Sequence, residues 1–125
     1  MGQISGKEGT KQKVNISQRD IMLLTFPFSN LKGAKVRPAL VIANNSYNSK
    51  FDDFLAVPLM SNLHVRDFCI GVTNEDLESG NLIVKSKLKA DKMFSANKEL
   101  VRMKIGKLKN EVHERVVELS CQAIK

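Results

Sequence analysis

From Asp20 onward the chain reads as short apolar runs broken by turn-forming residues. The runs Ile21-Met22-Leu23-Leu24-Thr25-Phe26, Pro38-Ala39-Leu40-Val41-Ile42-Ala43 and Phe54-Leu55-Ala56-Val57-Pro58-Leu59 have the length and bounding residues of strands. Further strands are predicted over 67–73, 82–90 and 100–105. Strands recurring this closely, with no helical pattern between them, predict a barrel or sandwich rather than alternating strand–helix units. The end of the chain differs. Val112, Val116, Leu119 and Ala123 recur at helical spacing and Ile124 extends the stripe, which predicts one closing amphipathic helix. Asn110 is the expected N-cap, with Glu111 and Glu114 near the positive end of the helix dipole and His113 facing solvent.

Two segments stand outside this pattern. Residues 1–17, rich in Gly, Lys, Gln and Ser, read as a flexible N-terminal extension, which leaves 18–125 as the ordered domain. Residues 27–35 form a loop long for a hairpin and therefore a candidate functional loop. A chain of 125 residues is one domain in length, and at that size a symmetric dimer is the default expectation. Cys69 and Cys121 stand far apart with no CxxC or Cys/His cluster, so reduced thiols are expected, with no zinc site and no other metal or cofactor. The start of the chain lacks an apolar signal region and the longest aliphatic run is too short to span a bilayer. A soluble, cytoplasmic protein is expected.

Charge changes the picture more than composition does. The chain carries a net charge of +7, and between Lys85 and Lys109 nine basic residues face two acidic ones, a surplus equal to that of the whole chain. On a strand, Lys85, Lys87, Lys89 and Asp91 would project together while Leu88 and Ala90 point the other way. Such a cationic row is either a solvated face or the seat of a polyanion. Asp91 places a lone carboxylate beside it, and a proton carrier next to phosphate-binding cations is what phosphodiester cleavage requires. His64, in the loop after the third strand, is a candidate proton carrier, and Tyr47 and Phe51 can either stack on bases or anchor their own loop.

Four ordered stretches resemble the MazF/PemK toxins: Asp20-Ile21 through Phe26-Pro27-Phe28-Ser29 to Gly33-Ala34-Lys35-Val36-Arg37-Pro38-Ala39-Leu40-Val41-Ile42, then Ala56-Val57-Pro58-Leu59-Met60-Ser61-Asn62, Leu88-Lys89-Ala90-Asp91-Lys92, and Lys104-Ile105-Gly106-Lys107-Leu108. The resemblance implies a mainly β fold, a small half-open barrel of the CcdB/MazF type with a C-terminal helix. It also implies a homodimer that cleaves single-stranded RNA, including mRNA, at short sequences without a metal ion, held off by an antitoxin. Arg37 matches the family arginine before proline, a fork suited to a scissile phosphate. Asp91 matches the aspartate proposed as general acid/base or substrate ligand, and Ser61 the small polar residue after the catalytic threonine. Lys35, Asn62 and His64 join Lys85, Lys87 and Lys89 as expected RNA contacts.

The match has departures. Met60 occupies the threonine position and Lys89 that of the usual arginine before Asp91, while Arg19 stands where glycine is common. Methionine has no hydroxyl, so Ser61 must substitute, and on a continuous strand it would face the wrong way. A module that binds RNA or antitoxin without cutting is the alternative. A gyrase poison of the related CcdB family is a third, disfavoured because the chain has no tryptophan and lacks that family's Trp-Gly-Ile tail.

Overall fold

The computed structural model describes residues 15–27, 34–62, 64 and 66–125. Most of the loop at 27–35 and most of the extension at 1–17 therefore lie outside the described residues. The elements in chain order are β1 (Asp20–Pro27), β2 (Ala34–Val41), α1 (Asn45–Lys50), β3 (Asp53–Met60), β4 (Cys69–Val72), β5 (Leu77–Gly80), β6 (Ser86–Lys89), β7 (Phe94–Asn97), β8 (Val101–Leu108) and α2 (Asn110–Ile124). All strand pairs are antiparallel and join one curled sheet in the order β4-β6-β3-β2-β1-β8-β5, with β7 also pairing β3. This is the mainly β barrel-like fold with a terminal helix that the sequence predicts.

Alternation along the strands builds two cores, one on each face of β1–β3. Ile21, Leu40, Val57 and Leu59 join Leu88, Leu108, Val112 and Val116 beneath α2. Met22, Leu24, Ala39, Val41, Phe54 and Ala56 turn the other way and pack with Ala96 and Val101. Burying an aliphatic side chain stabilises by about 1.5–3 kcal/mol each, so α2 is held through Val112 and Val116. The hydroxyl of Ser120 adds a hydrogen bond to the Ala90 carbonyl at 2.7 Å.

Several expectations are corrected. The strand predicted over 82–90 is confined to Ser86–Lys89, and β5, β7 and α1 were not foreseen. The N-cap of α2 is Lys109, which makes no side-chain cap, while Asn110 donates through Nδ2 to Glu114 Oε2. His113 is buried at 4% exposure instead of facing solvent, and Ala123 and Ile124 are exposed.

Two prolines shape the sheet's interior. The β2–β3 ladder runs from Val41↔Ala56 to Ala39↔Pro58 and stops beside Pro38, which has no N–H to give. On its other side β3 pairs β7 through residues 53–56 and β6 at residues 59–60. Pro58 falls in the gap between these partners, where no donor is required.

Candidate functional site: a cationic row on one face of the sheet

Directly paired residues in a sheet share a face. Leu24 pairs Arg37 across β1–β2, Met60 pairs Lys87 across β3–β6, and Lys87 pairs Gly71 across β6–β4. Extending the β2–β3 register by two residues past Ala39↔Pro58 sets Arg37 beside Met60. Arg37, Met60 and Lys87 thus form a row across three neighbouring strands, on the face opposite α2 and just beyond the point where the ladder stops.

Among the described residues no carboxylate pairs with Arg37 or Lys87. Lys87 is only 8% exposed, and its Nζ donates to the His64 carbonyl oxygen at 2.6 Å. A buried ammonium satisfied by a neutral carbonyl carries uncompensated charge, which an incoming anion relieves. Across from it Gly71 has no side chain, and nothing lies within 4 Å of where a Cβ would stand.

The remaining expected residues distribute around the row. β3 ends at Met60, so Ser61 lies in a bend, exposed, and is freed from the alternation that would have turned it away. Asn62 accepts from the His64 N–H at 2.9 Å, so both belong to a local turn, and both are exposed. Lys35 is exposed near the start of β2. The expected cationic ladder is corrected: Lys85 precedes the strand, Lys87 is buried under the β3–β4 loop, and only Lys89 of the three sits half-buried on the strand, paired with Cys69. Asp91 lies in the turn after β6 and is not part of the row. Its partner is Arg66 rather than Lys89: Arg66 Nη2 lies 3.0 and 2.8 Å from the two carboxylate oxygens. Tyr47 and Phe51 pack on each other, ring centroids 4.7 Å apart, as anchors of α1.

Arg66 carries no sequence signal, being one cation in a loop, and it becomes visible only when the fold brings residues 66 and 91 together. Arg19 was noticed only as a departure. It adopts φ 81°, the left-handed conformation that favours glycine over a residue with a side chain. Arg19 is held there by backbone bonds, its N–H to Val41 O at 2.9 Å and its carbonyl from Leu108 N at 2.8 Å. Its guanidinium reaches Glu78 and the Leu108 carbonyl, both at 2.9 Å.

Below the site, Asp20 fastens β1 to β8. This buried carboxylate takes Lys107 Nζ at 2.9 Å, Lys104 Nζ at 3.3 Å and the Ser17 N–H at 3.0 Å. Cys69 and Cys121 are free thiols, and among the described residues no group of three or more His, Cys, Asp or Glu side chains is placed to hold a metal ion. No helix among the described residues is long and apolar enough to cross a membrane.

Comparison with solved structures finds the same fold. An endoribonuclease in complex with its cognate antitoxin from a mycobacterial species matches with TM-score 0.71 at 14% identity, covering 88% of this chain and 95% of that one. MazF in a MazE-MazF structure from Deinococcus radiodurans matches with TM-score 0.73 at 19% identity, over 87% and 95% of the two chains. The Mycobacterium tuberculosis toxin MazF-mt6 matches with TM-score 0.64 at 14% identity, over 82% and 95%. No curated protein sequence matches significantly. The family model for PemK-like, MazF-like toxins of type II toxin-antitoxin systems matches residues 17–122, and with the barrel and its closing helix already in place this settles the family: the chain is a member of the PemK/MazF-like toxins.

Proposed function

We propose that this protein is an endoribonuclease that cuts single-stranded RNA at short sequences without a metal ion, by attack of a ribose 2′-OH on the adjacent phosphate. The carrying observation is the row of Arg37 and Lys87, two cations without carboxylate partners among the described residues, on one face of the two strands that flank β3. In such a reaction the phosphate gains negative charge as the 2′-oxygen adds, so fixed cations stabilise the transition state more than the ground state. Arg37 supplies a planar fork for two phosphate oxygens and Lys87 a point charge. Ser61, freed by the strand end, offers the hydroxyl that Met60 lacks, and Asp91 is the carboxylate assigned to proton transfer. Lys35, Lys85, Lys89, Asn62 and His64 are assigned to flanking RNA contacts.

The same cations suit an acidic antitoxin segment, and one matched structure is an endoribonuclease in complex with its cognate antitoxin. We assign this chain an antitoxin that covers the row, a two-fold assembly and a cytoplasmic setting. Incubation of the purified protein with long unstructured RNA in EDTA tests the reading. Discrete fragments ending in 2′,3′-cyclic phosphate are expected, and intact RNA under conditions where it binds would overturn the catalytic part.

Met60 favours a second reading, a module that binds RNA or antitoxin without cutting. Two substitutions separate them. In the nuclease reading Met60→Thr changes the cleavage rate by less than about threefold, while Ser61→Ala lowers it at least about tenfold. In the binding reading Met60→Thr creates cleavage where there was none.

A further inference from the structure

Resting on the RNA-binding part of that reading, we infer that Arg66 is a further phosphate ligand, masked by Asp91 in the free protein and released to the RNA backbone on binding. Arg66 and Asp91 belong to segments 25 residues apart, and one guanidinium nitrogen touches both carboxylate oxygens. The pair is open to water, with side-chain exposures of 37% and 22%. Exposed ion pairs are weak and exchange partners readily. A phosphate offers the same guanidinium a competing, multiply bonded anion.

Position gives the exchange a purpose. Arg66 lies near the end of the β3–β4 loop, which is also tied to the β6 region by the bond from Lys87 to the His64 carbonyl and by the Ala90 N–H to the Phe68 carbonyl at 2.9 Å. The Lys87 tie holds the cation of the proposed scissile site, and the Arg66–Asp91 tie covers a cation at the opposite end of β6. Lys89, half-buried, and Lys92, exposed, lie between and beside them. Asp91 is the lone acidic side chain between Lys85 and Lys98. RNA laid from Arg37 and Lys87 along β6 meets this carboxylate and must displace it from Arg66. The displacement exposes a phosphate ligand and, in the same motion, frees the carboxylate assigned to proton transfer.

The test reads binding alone, with a fluorescent mixed-sequence 2′-O-methyl RNA that cannot be cut, titrated against the full chain across a salt series. Asp91→Asn is expected to tighten binding about threefold by unmasking Arg66. Arg66→Ala is expected to weaken binding and reduce the salt slope by about 0.7, the value of one lost single-strand phosphate contact. Arg66→Lys retains the slope. In the Arg66→Ala background Asp91→Asn should bring no gain, which separates unmasking from general removal of negative charge. A gain that survives in that background, or an Arg66→Ala slope equal to the parent's, overturns the inference. Failure to cleave natural RNA with these binding results intact would sink only the nuclease assignment.

Discussion

Replacing Arg37 by alanine removes the fork proposed to hold the scissile phosphate while leaving the strand's ladder to β1 in place. We expect kcat/KM for RNA cleavage to fall about 100- to 1000-fold, the usual effect of losing one preorganised donor to developing charge, with the urea midpoint unchanged. Arg19 poses the reverse case, a residue whose cost lies in the backbone. With φ at 81°, alanine there keeps the strain and loses the guanidinium's bonds, whereas glycine loses the bonds and removes the strain. Arg19→Gly should therefore be more stable than Arg19→Ala by about 0.5–1 kcal/mol in urea denaturation. Both residues were legible in sequence, Arg37 as the arginine before Pro38 and Arg19 as a departure from glycine. Arg66 and the burial of Lys87 were not, because strand alternation assigns a face and says nothing about which loop covers it.

Among the elements, α2 carries a titratable liability. His113 is buried in its first turn, and neither ring nitrogen has a hydrogen-bond partner among the described residues. Burial foremost, then the nearby charges of Arg19 and Lys107, lowers its pKa to about 4. The unfolded chain keeps an ordinary histidine, so below about pH 6.5 the unfolded state binds a proton that the folded state refuses. Stability is thus complete above that pH, falls as pH drops toward 4, and the loss levels off below it. We expect a loss of order 2 kcal/mol over this window, and His113→Leu should flatten it in thermal melts followed by helix circular dichroism. The titration of Glu78, drawn below its usual range by its bond to Arg19, belongs to a more acidic window. The periodicity of Val112 and Val116 made this helix readable, but His113, set between Val112 and Glu114 off that stripe, gave no hint that it turned inward. The elements missed outright have equally physical reasons. β5 reads Leu-Glu-Ser-Gly, with one buried apolar side chain, and owes its place to β8: a Cβ at Gly80, which has φ 85°, would collide with the Ile105 carbonyl. α1 reads Asn-Ser-Tyr-Asn-Ser-Lys and is set by Asn44, whose side chain accepts from the Tyr47 N–H.

At the scale of the whole molecule, one sheet separates two cores, and two neighbouring strands within it are also tied by charge. Asp20 on β1 binds Lys104 and Lys107 of β8 from a fully buried position. Removing one member of such a set strands the others, so Asp20→Asn should cost about 3 kcal/mol, measured by urea unfolding at neutral pH. The barrel class and closing helix were legible from period-two runs followed by helical spacing. The site's assembly was not, since it depends on the register between strands, which short apolar runs leave undetermined.

The imino acids at 38 and 58 bear on how such a sheet can hold the proposed reactive centre at all. Their missing donors end one ladder and span the gap in another within a residue or two of Arg37 and Met60. A fully zipped weave would lock those neighbours at fixed spacing and seal the crevice between them. Interrupting the weave there sacrifices a little cohesion to leave a seam, and it is at that seam that the proposed function has a flexible polymer find its grip.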